Sequence, residues 1–299
     1  MSGDDLYISR DISQGVGILG SGFLIDLGGD DQYFGKSSVQ GIGLLGVGFI
    51  LEGGGNDRYL AERYAQGVGF TKGIGGIIEV DGADYMLAGG KYPDFRDPEN
   101  ATESNAQGFG YGLRPFYTSV GSSGGIGLVY DQNGNDVYIN DYFGQGASYW
   151  YAFGALVDEA GNDIYISGRY SQGAGIHVSI GVLIDEKGND HYVSTFGVGQ
   201  GLGHDFGIGV LVDSDGDDFY KGGVLVQGSG NETGIGILYD NKGNDKYVSN
   251  GPGSGIYSAF HEAGSIGLHV DAEGIDSYSS GEKNKQVLNR KNWGLFWDM

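Results

Sequence analysis

The sequence contains no cysteine and only 4 prolines among its 299 residues. The lack of cysteine excludes disulfide bonds and thiolate metal sites, and so few prolines exclude collagen-like and proline-rich disordered chains. No uninterrupted apolar run approaches the roughly 18 residues of a membrane-spanning helix, so we expect no membrane insertion. The first residues are acidic, so we do not expect them to form a signal peptide. Because they begin inside a repeat, we expect a fragment or a processed form of a longer protein.

Basic residues are also scarce, since 17 lysines and arginines stand against 39 aspartates and glutamates, for a formal net charge of -22. Nucleic acids and anionic membranes select basic surfaces, so neither is an expected partner. An acidic surface of this kind suits cation binding, or solubility outside the cell. We therefore expect an extracellular, cell-surface or periplasmic protein of bacterial type.

Glycine and tyrosine, in contrast, are abundant, with 62 and 21 residues. One pattern recurs along the chain: an acidic residue, two variable residues, glycine, asparagine or aspartate, aspartate, a variable residue and tyrosine. Successive tyrosines of this pattern are mostly 26 to 28 residues apart, with longer steps of 53 after Tyr85 and 31 after Tyr247. The tyrosines are Tyr7, Tyr33, Tyr59, Tyr85, Tyr138, Tyr165, Tyr192, Tyr220, Tyr247 and Tyr278.

A second marker, Gln-Gly, follows most of these tyrosines after seven residues. In a stack of repeats the glutamines are expected to form an amide ladder with mutual hydrogen bonds. The distance from Tyr85 to Gln107 is 22 residues, and that from Gln107 to Tyr138 is 31 where 19 or 20 is usual. One repeat therefore carries two insertions, predicted as surface loops at about 86–106 and 111–123.

A period of 26–28 residues without a helical pattern is typical of a β-solenoid. Apolar residues alternate with small ones before the acidic position, as in Phe206, Ile208, Val210 and Val212, which predicts a strand. We predict an all-β chain with a single elongated parallel β-solenoid (β-helix), right-handed, of about ten coils over residues 1–280. Residues 281–299 depart from the repeat and are predicted to cap the open end of the stack.

Stacking coils about 4.8 Å apart places equivalent carboxylates above one another. One such column includes Asp158, Asp185 and Asp213, and a second includes Asp136 and Asp163. Like charges at this spacing repel by roughly 3–4 kcal/mol at an effective dielectric constant near 20. Two arrangements offset the repulsion: hydrogen bonds from backbone N–H groups of each carboxylate's own turn, or calcium bound between coils through oxygen ligands.

The turn sequences GGDDQY, GNDVY and GNDIY resemble the RTX (hemolysin-type) calcium-binding repeats, which form parallel β-rolls. The resemblance covers five or six residues per repeat, and RTX repeats recur about every nine residues, whereas the repeats here are much longer. It implies Ca²⁺ as a cofactor. The candidate metal ligands are Asp136, Asp163, Asp190, Asp218, Asp245, Asp158, Asp185 and Asp213.

A second candidate site follows from the position five residues beyond each glutamine, which holds leucine in the first two repeats. In four consecutive later repeats it holds Trp150, His177, Asp205 and Glu232. Two carboxylates about 5 Å apart on adjacent coils are suited to acid–base cleavage of a glycosidic bond. The candidate catalytic residues are Asp205, Glu232, His177 and His204, which could alternatively bind a transition metal. The candidate substrate-binding residues are Trp150, Tyr149, Tyr151, Arg114 and Tyr117.

Two functions remain open on these observations. The first is a secreted or cell-surface β-solenoid that acts as a structural scaffold or binding module, adhesin- or exoprotein-like, with a polysaccharide or another cell-surface component as partner. The alternative is a polysaccharide-cleaving lyase or glycosidase with its site at the His177/Asp205/Glu232 corner. An ice-binding surface is disfavoured because the sequence has no Thr-x-Thr ladder. Exposed solenoid corners also accumulate polar residues that have no function.

Overall fold

The computed structural model describes residues 2–115, 120–290 and 292–299. All the regular secondary-structure elements within these ranges are β-strands. Each repeat forms one coil. Its first side, the tyrosine face, is built from Leu6–Ile8, Gln32–Phe34, Arg58–Ala61, Tyr85–Ala88, Val137–Asn140, Ile164–Ser171, His191–Gly199, Phe219–Lys221, Lys246–Val248 and Ser277–Tyr278. The opposite side, the aliphatic face, is built from Ser21–Ile25, Val47–Leu51, Ile74–Glu79, Ile126–Asp131, Phe153–Asp158, Ile180–Asp185, Ile208–Asp213, Ile235–Asp240, Ile266–Asp271 and Gly294–Asp298.

Shorter strands connect these two faces. After the tyrosine face come Asp11–Ser13, Ser37–Val39, Arg63–Ala65 and Tyr142–Gly144. The side that leads into the aliphatic face, the glycine face, consists of Gly17–Ile18, Gly43–Leu44, Gly110–Tyr111, Ser148–Tyr149, Gly175–Ile176, Gly203–His204 and Gly230–Asn231. Three further strands, Tyr257–Ser258, Ala263–Gly264 and Val287–Arg290, pair antiparallel near the end of the chain.

Equivalent strands of successive coils pair in parallel and in register. Asp158 lies beside Asp185, for example, and Asp185 lies beside Asp213. The chain is thus an all-β parallel solenoid of about 11 turns, which confirms the predicted fold class. It contains no helix that could span a membrane among the residues that are described.

A stack of tyrosine rings lies in the core beneath the tyrosine face. The rings of Tyr165 and Tyr192 lie 4.9 Å apart and nearly parallel, and those of Tyr192 and Tyr220 lie 4.8 Å apart. These side chains are fully buried and pack with leucines of the aliphatic face such as Leu183 and Leu211. Because one coil cannot enclose this column alone, neighbouring coils depend on one another for their core.

Tyr85 does not belong to this stack, although the sequence indicates a copy of the pattern that has lost one residue, since Tyr85 directly follows Asp84. The register pairs Met86, not Tyr85, with Tyr59 and Tyr138, and Met86 is fully buried. The coil has therefore lost no residue before its tyrosine face. Its tyrosine has moved to the outward-pointing position one residue earlier, and methionine fills the core position.

The glutamines do not form the predicted mutual amide bonds. The Nε2 of Gln172 donates to the carbonyl of Tyr165 in its own coil, at 3.0 Å, and to that of Val193 in the next coil, at 3.2 Å. Gln172 has a left-handed backbone, with φ of 55°, at the bend after the tyrosine face. At this bend the side chain turns inward and reaches carbonyl groups of the tyrosine face, so the glutamines clamp two coils together through the backbone.

The two insertions and the cap depart modestly from their predicted bounds. Residues 86–88 continue the tyrosine face, and Gly110–Tyr111 is part of the glycine face, so each insertion begins after a strand. Within the predicted cap, Gly294–Asp298 adds one more rung parallel to Ile266–Asp271. Val287–Arg290 then runs antiparallel beside this rung and covers its edge.

Candidate functional site

Two columns of buried carboxylates run through the turn between the aliphatic and tyrosine faces. In the first column, the ladder aspartates, each backbone N–H donates to the carboxylate of the next coil, as from Asp136 to Asp163 at 2.6 Å and from Asp163 to Asp190 at 2.5 Å. The ladder ends where Asp276 donates to the amide oxygen of Asn284 at 2.6 Å. The ladder aspartates are Asp5, Asp31, Asp57, Asp84, Asp136, Asp163, Asp190, Asp218, Asp245 and Asp276.

The second column, the tyrosine-bound carboxylates, includes Asp131, Asp158, Asp185 and Asp213. The hydroxyl of Tyr165 donates to Asp185 at 2.8 Å, and the N–H of Lys187 caps the other oxygen of Asp185 at 3.2 Å. Within the described ranges, the backbone N–H groups of a turn thus donate to this column, as from Lys187 to Asp185. For the ladder aspartates, the prediction that each carboxylate accepts from N–H groups of its own turn was wrong. Their N–H donors belong to the adjacent coil.

Several carboxylate oxygens in these columns have no hydrogen-bond partner among the described residues. They include Oδ2 of Asp136, Asp163 and Asp190 and Oδ1 of Asp158 and Asp213, all buried. One oxygen each from Asp136, Asp158 and Asp163 lies within 4.8 Å of the others. Oxygen atoms alone form this set, so its chemistry fits either a shared proton or a hard cation such as Ca²⁺.

Burial has a strong effect on the protonation of these groups. Burial, followed by the charge of Asp158, raises the pKa of Asp163 to about 9. Burial raises the pKa of Asp190 to about 7, and burial with the charge of Asp213 raises that of Asp218 to about 10. Without a cation, a part of these carboxyl groups therefore keeps its proton near neutral pH.

The second candidate site lies at the corner between the glycine and aliphatic faces. Trp150, His177, Asp205 and Glu232 all have left-handed backbones there, with φ of 60°, 59°, 50° and 48°. Leu19 in the first coil adopts the same conformation, with φ of 53°. The strained backbone therefore belongs to the fold, and only the change of side chains distinguishes these coils.

Asp205 is the centre of a polar network at this corner. Its Oδ2 lies 2.5 Å from Nδ1 of His177, and its Oδ1 lies 3.1 Å from Nε2 of His261. Arg114, from the second insertion, lies 2.9 Å from Nε2 of His177 and 3.6 Å from Asp205. Because a guanidinium group only donates, Nε2 of His177 accepts, and its Nδ1–H donates to Asp205.

This network determines the charge of its members. Burial, together with the charge of Arg114, lowers the pKa of His177 to about 4, so the ring is neutral at pH 7. Burial raises the pKa of Asp205, but the hydrogen bond from His177 and the positive charge of Arg114 outweigh it, and the pKa lies below its usual value. Asp205 is therefore an ionised carboxylate that is held in place by its neighbours.

An open depression of about 400 Å³ adjoins the network, and its lining is Arg114, His204, Asp205, Glu232, Phe260 and His261. Glu232 accepts a hydrogen bond from the hydroxyl of Ser258, while Nδ1 of His204 lies 3.0 Å from the side-chain amide of Asn231. Burial lowers the pKa of His204, so this ring is also neutral at pH 7.

The structure thus brings together most of the predicted corner residues. Arg114 lies over the ring of Trp150, at 5.5 Å, and Tyr149 packs edge-on against His177, at 5.1 Å. Tyr151 is half exposed and lies beside a different depression, with Lys72 and Phe153. Tyr117 lies outside the described residues.

His261, Phe260 and Ser258 were not predicted as site residues from the sequence. These residues belong to a hairpin at 256–264, in which Tyr257–Ser258 pairs with Ala263–Gly264. The repeat from Tyr247 to Tyr278 is 31 residues long, whereas most repeats have 26 to 28. This extra length was the sequence feature that could have predicted a hairpin here. The contact of His261 with Asp205, 56 positions earlier in the chain, depends on coil stacking.

Comparison with known proteins found no match to this chain among protein-family models, curated proteins or solved structures. The likeness to RTX repeats therefore remains limited to the residues of the turns.

Proposed function

We propose that the protein is a secreted or cell-surface β-solenoid binding module whose ligand is a saccharide. The observation that carries this proposal is the depression at the corner, where polar side chains replace the leucine of the first coils. Glu232, His204 and His261 provide acceptors and donors for hydroxyl groups around it. The acidity of the chain and its lack of cysteine support a place outside the cell.

Exposed rings beside the depression favour a saccharide over other polar ligands. Phe260 is 86% exposed, and Phe206 is 53% exposed. Both rings flank His261, with centroids 4.8 Å from the imidazole. Flat apolar side chains next to hydrogen-bonding groups match a pyranose ring, which has an apolar face and a polar rim.

We expect saccharide binding to depend on Arg114 through the Asp205 network. Arg114→Ala removes the donor to His177 and the cation beside Asp205, so the carboxylate loses its one permanently charged neighbour and the group that fixes the ring of His177. Affinity for a bound oligosaccharide should fall about tenfold or more in calorimetric titrations. Lys187→Ala, on an exposed turn of another side, is the matched control and should bind as the wild type does. Equal affinity of both variants would contradict the assignment of the site.

Hydrolysis of a glycosidic bond is a second candidate function, favoured by the position of Asp205 and Glu232 in adjacent coils. An ionised Asp205 suits the role of nucleophile or base. Glu232, with a neutral hydroxyl neighbour in Ser258, is the other carboxyl group available as acid. The same oligosaccharides, incubated with the protein and analysed for shorter products, test this function. Intact oligosaccharides after long incubation restrict the site to binding.

We also propose that Ca²⁺ binds between the carboxylate columns, with Asp136, Asp158, Asp163, Asp190 and Asp213 among its ligands. The unpartnered buried oxygens support this assignment. At pH 8, calcium at 100 times its dissociation constant should stabilise the fold by about 2.7 kcal/mol per site, which raises the melting temperature. Asp163→Asn should reduce the rise. An identical melting temperature with calcium and with a chelator would exclude calcium.

A further inference from the structure

The hairpin at 256–264 leaves the solenoid directly beside the corner depression. Its Ser258 orients Glu232, and its His261 orients Asp205. Phe260 stands at the tip of the hairpin and is 86% exposed. This one segment contacts both carboxylates and also exposes the ring of Phe260 to solvent. It can therefore determine which ligands bind in the depression.

The two carboxylates of the depression differ in their neighbours. Asp205 lies within 4 Å of nitrogen atoms of Arg114, His177 and His261. Within the described part of the chain, Glu232 forms no ion pair, and its side chain has one donor, the neutral hydroxyl of Ser258. The negative charge of Glu232 is therefore available to a ligand.

A cationic group is the ligand feature that this charge selects. A neutral hydroxyl group would leave the charge of Glu232 uncompensated, and an acidic ligand would be repelled. The net charge of -22 of the chain adds a long-range attraction for cations. The exposed ring of Phe260 attracts a cation as well and also packs on an apolar ring face.

We propose that the depression selects an amino sugar with a free, protonated amino group. In this arrangement Glu232 binds the ammonium group, and Phe260 packs on the apolar face of the pyranose ring. The inference rests on the saccharide-binding function proposed above and adds the class of sugar to it. Ser258 and His261 are positioning residues that hold the two carboxylates.

Three oligosaccharides of equal length test this selection: one of glucosamine, one of N-acetylglucosamine and one of glucose. Calorimetric titrations at pH 6 should show that the wild type binds the glucosamine oligomer about tenfold or more tightly than the other two. Glu232→Gln keeps the shape of the side chain and should remove this preference. Phe260→Ala should weaken binding of all three, whereas Phe260→Trp should retain it.

Glu186→Gln, a change of an exposed glutamate in a distant turn, is the control for the general acidity of the surface and should keep the preference. A preference that persists in Glu232→Gln would overturn the assignment to Glu232. Equal binding of all three oligomers would overturn the selection of amino sugars and leave saccharide binding intact. Absence of binding to any of them would overturn both.

Discussion

In the absence of metal ions, the protein should lose stability as the pH rises from about 4 to about 9, the reverse of ordinary acid denaturation. The buried ladder aspartates are the cause, since burial raises the pKa of Asp190 to about 7, of Asp163 to about 9 and of Asp218 to about 10. The unfolded chain loses these protons near pH 3.9, the usual value for aspartate.

The sign of the effect follows from proton binding. A group whose pKa is higher in the folded state contributes stability that is fully present below its unfolded pKa and is lost up to its folded pKa. Each such group lowers the free energy of unfolding by about 1.4 kcal/mol per pH unit within this window. The contributions of these groups add below about pH 7, and above that pH they end one after another as each folded pKa is passed.

Urea unfolding at several pH values between 4.5 and 9, with a chelator present, measures this dependence. Asp163→Asn should make the slope shallower and stabilise the protein at pH 8. The amide keeps the oxygen that accepts the N–H of Asp136 and removes one buried acid. Asp215→Asn, at an exposed position, is the control and should leave the slope unchanged. A free energy of unfolding that increases with pH would contradict shared protons in the columns.

Gly209→Ala should destabilise the fold by at least about 3 kcal/mol, and the variant should be largely unfolded or poorly soluble. A Cβ atom at Gly209 would lie 2.0 Å from the carbonyl oxygen and 2.3 Å from the carbonyl carbon of Leu202. These are backbone atoms of the adjacent glycine face, which cannot move without breaking the pairing of Gly203–His204 with its neighbours.

Gly223→Ala is the matched control for this substitution. Gly223 lies in the turn between the strand Phe219–Lys221 and Gln227, in the same repeat as Gly209. No atom lies within 4 Å of a Cβ at Gly223. Its stability should stay within about 0.5 kcal/mol of the wild type. Thermal unfolding followed by circular dichroism compares the two. Similar melting temperatures for Gly209→Ala and the wild type would contradict the close approach of the two faces.

Much of the fold could be predicted because each repeat carries its own local sequence signals for strands and turns. Alternation of apolar and small residues in Ile208–Asp213 is a local signal for a strand, and the repeat period reports the length of a coil. Met86 escaped prediction because Tyr85 satisfies the pattern one position early. Only the pairing of Met86 with Tyr59 and Tyr138 decides which side chain enters the core.

The candidate site was predicted in part for the same reason. The register placed His177, Asp205 and Glu232 in one column, and the structure brings Asp205 and Glu232 to the lining of one depression. The alignment of the repeats did not predict that Asp205 has nitrogen-bearing neighbours, whereas Glu232 has a neutral hydroxyl group beside it. It depends on Arg114 and on the hairpin of His261, which approach from insertions in other coils.

The sequence by itself determined the solenoid, the columns of carboxylates and the coils in which the repeat changes, because these features recur at a constant spacing along the chain. Only the tertiary structure decided which groups pair: the N–H of one coil with the carboxylate of the next, the glutamine amides with carbonyl groups, and Arg114 with His177. The physical reason is that hydrogen bonds and ion pairs require atoms within about 3–4 Å. Such distances between coils depend on how the coils stack and on the paths of loops that lie outside the repeat pattern.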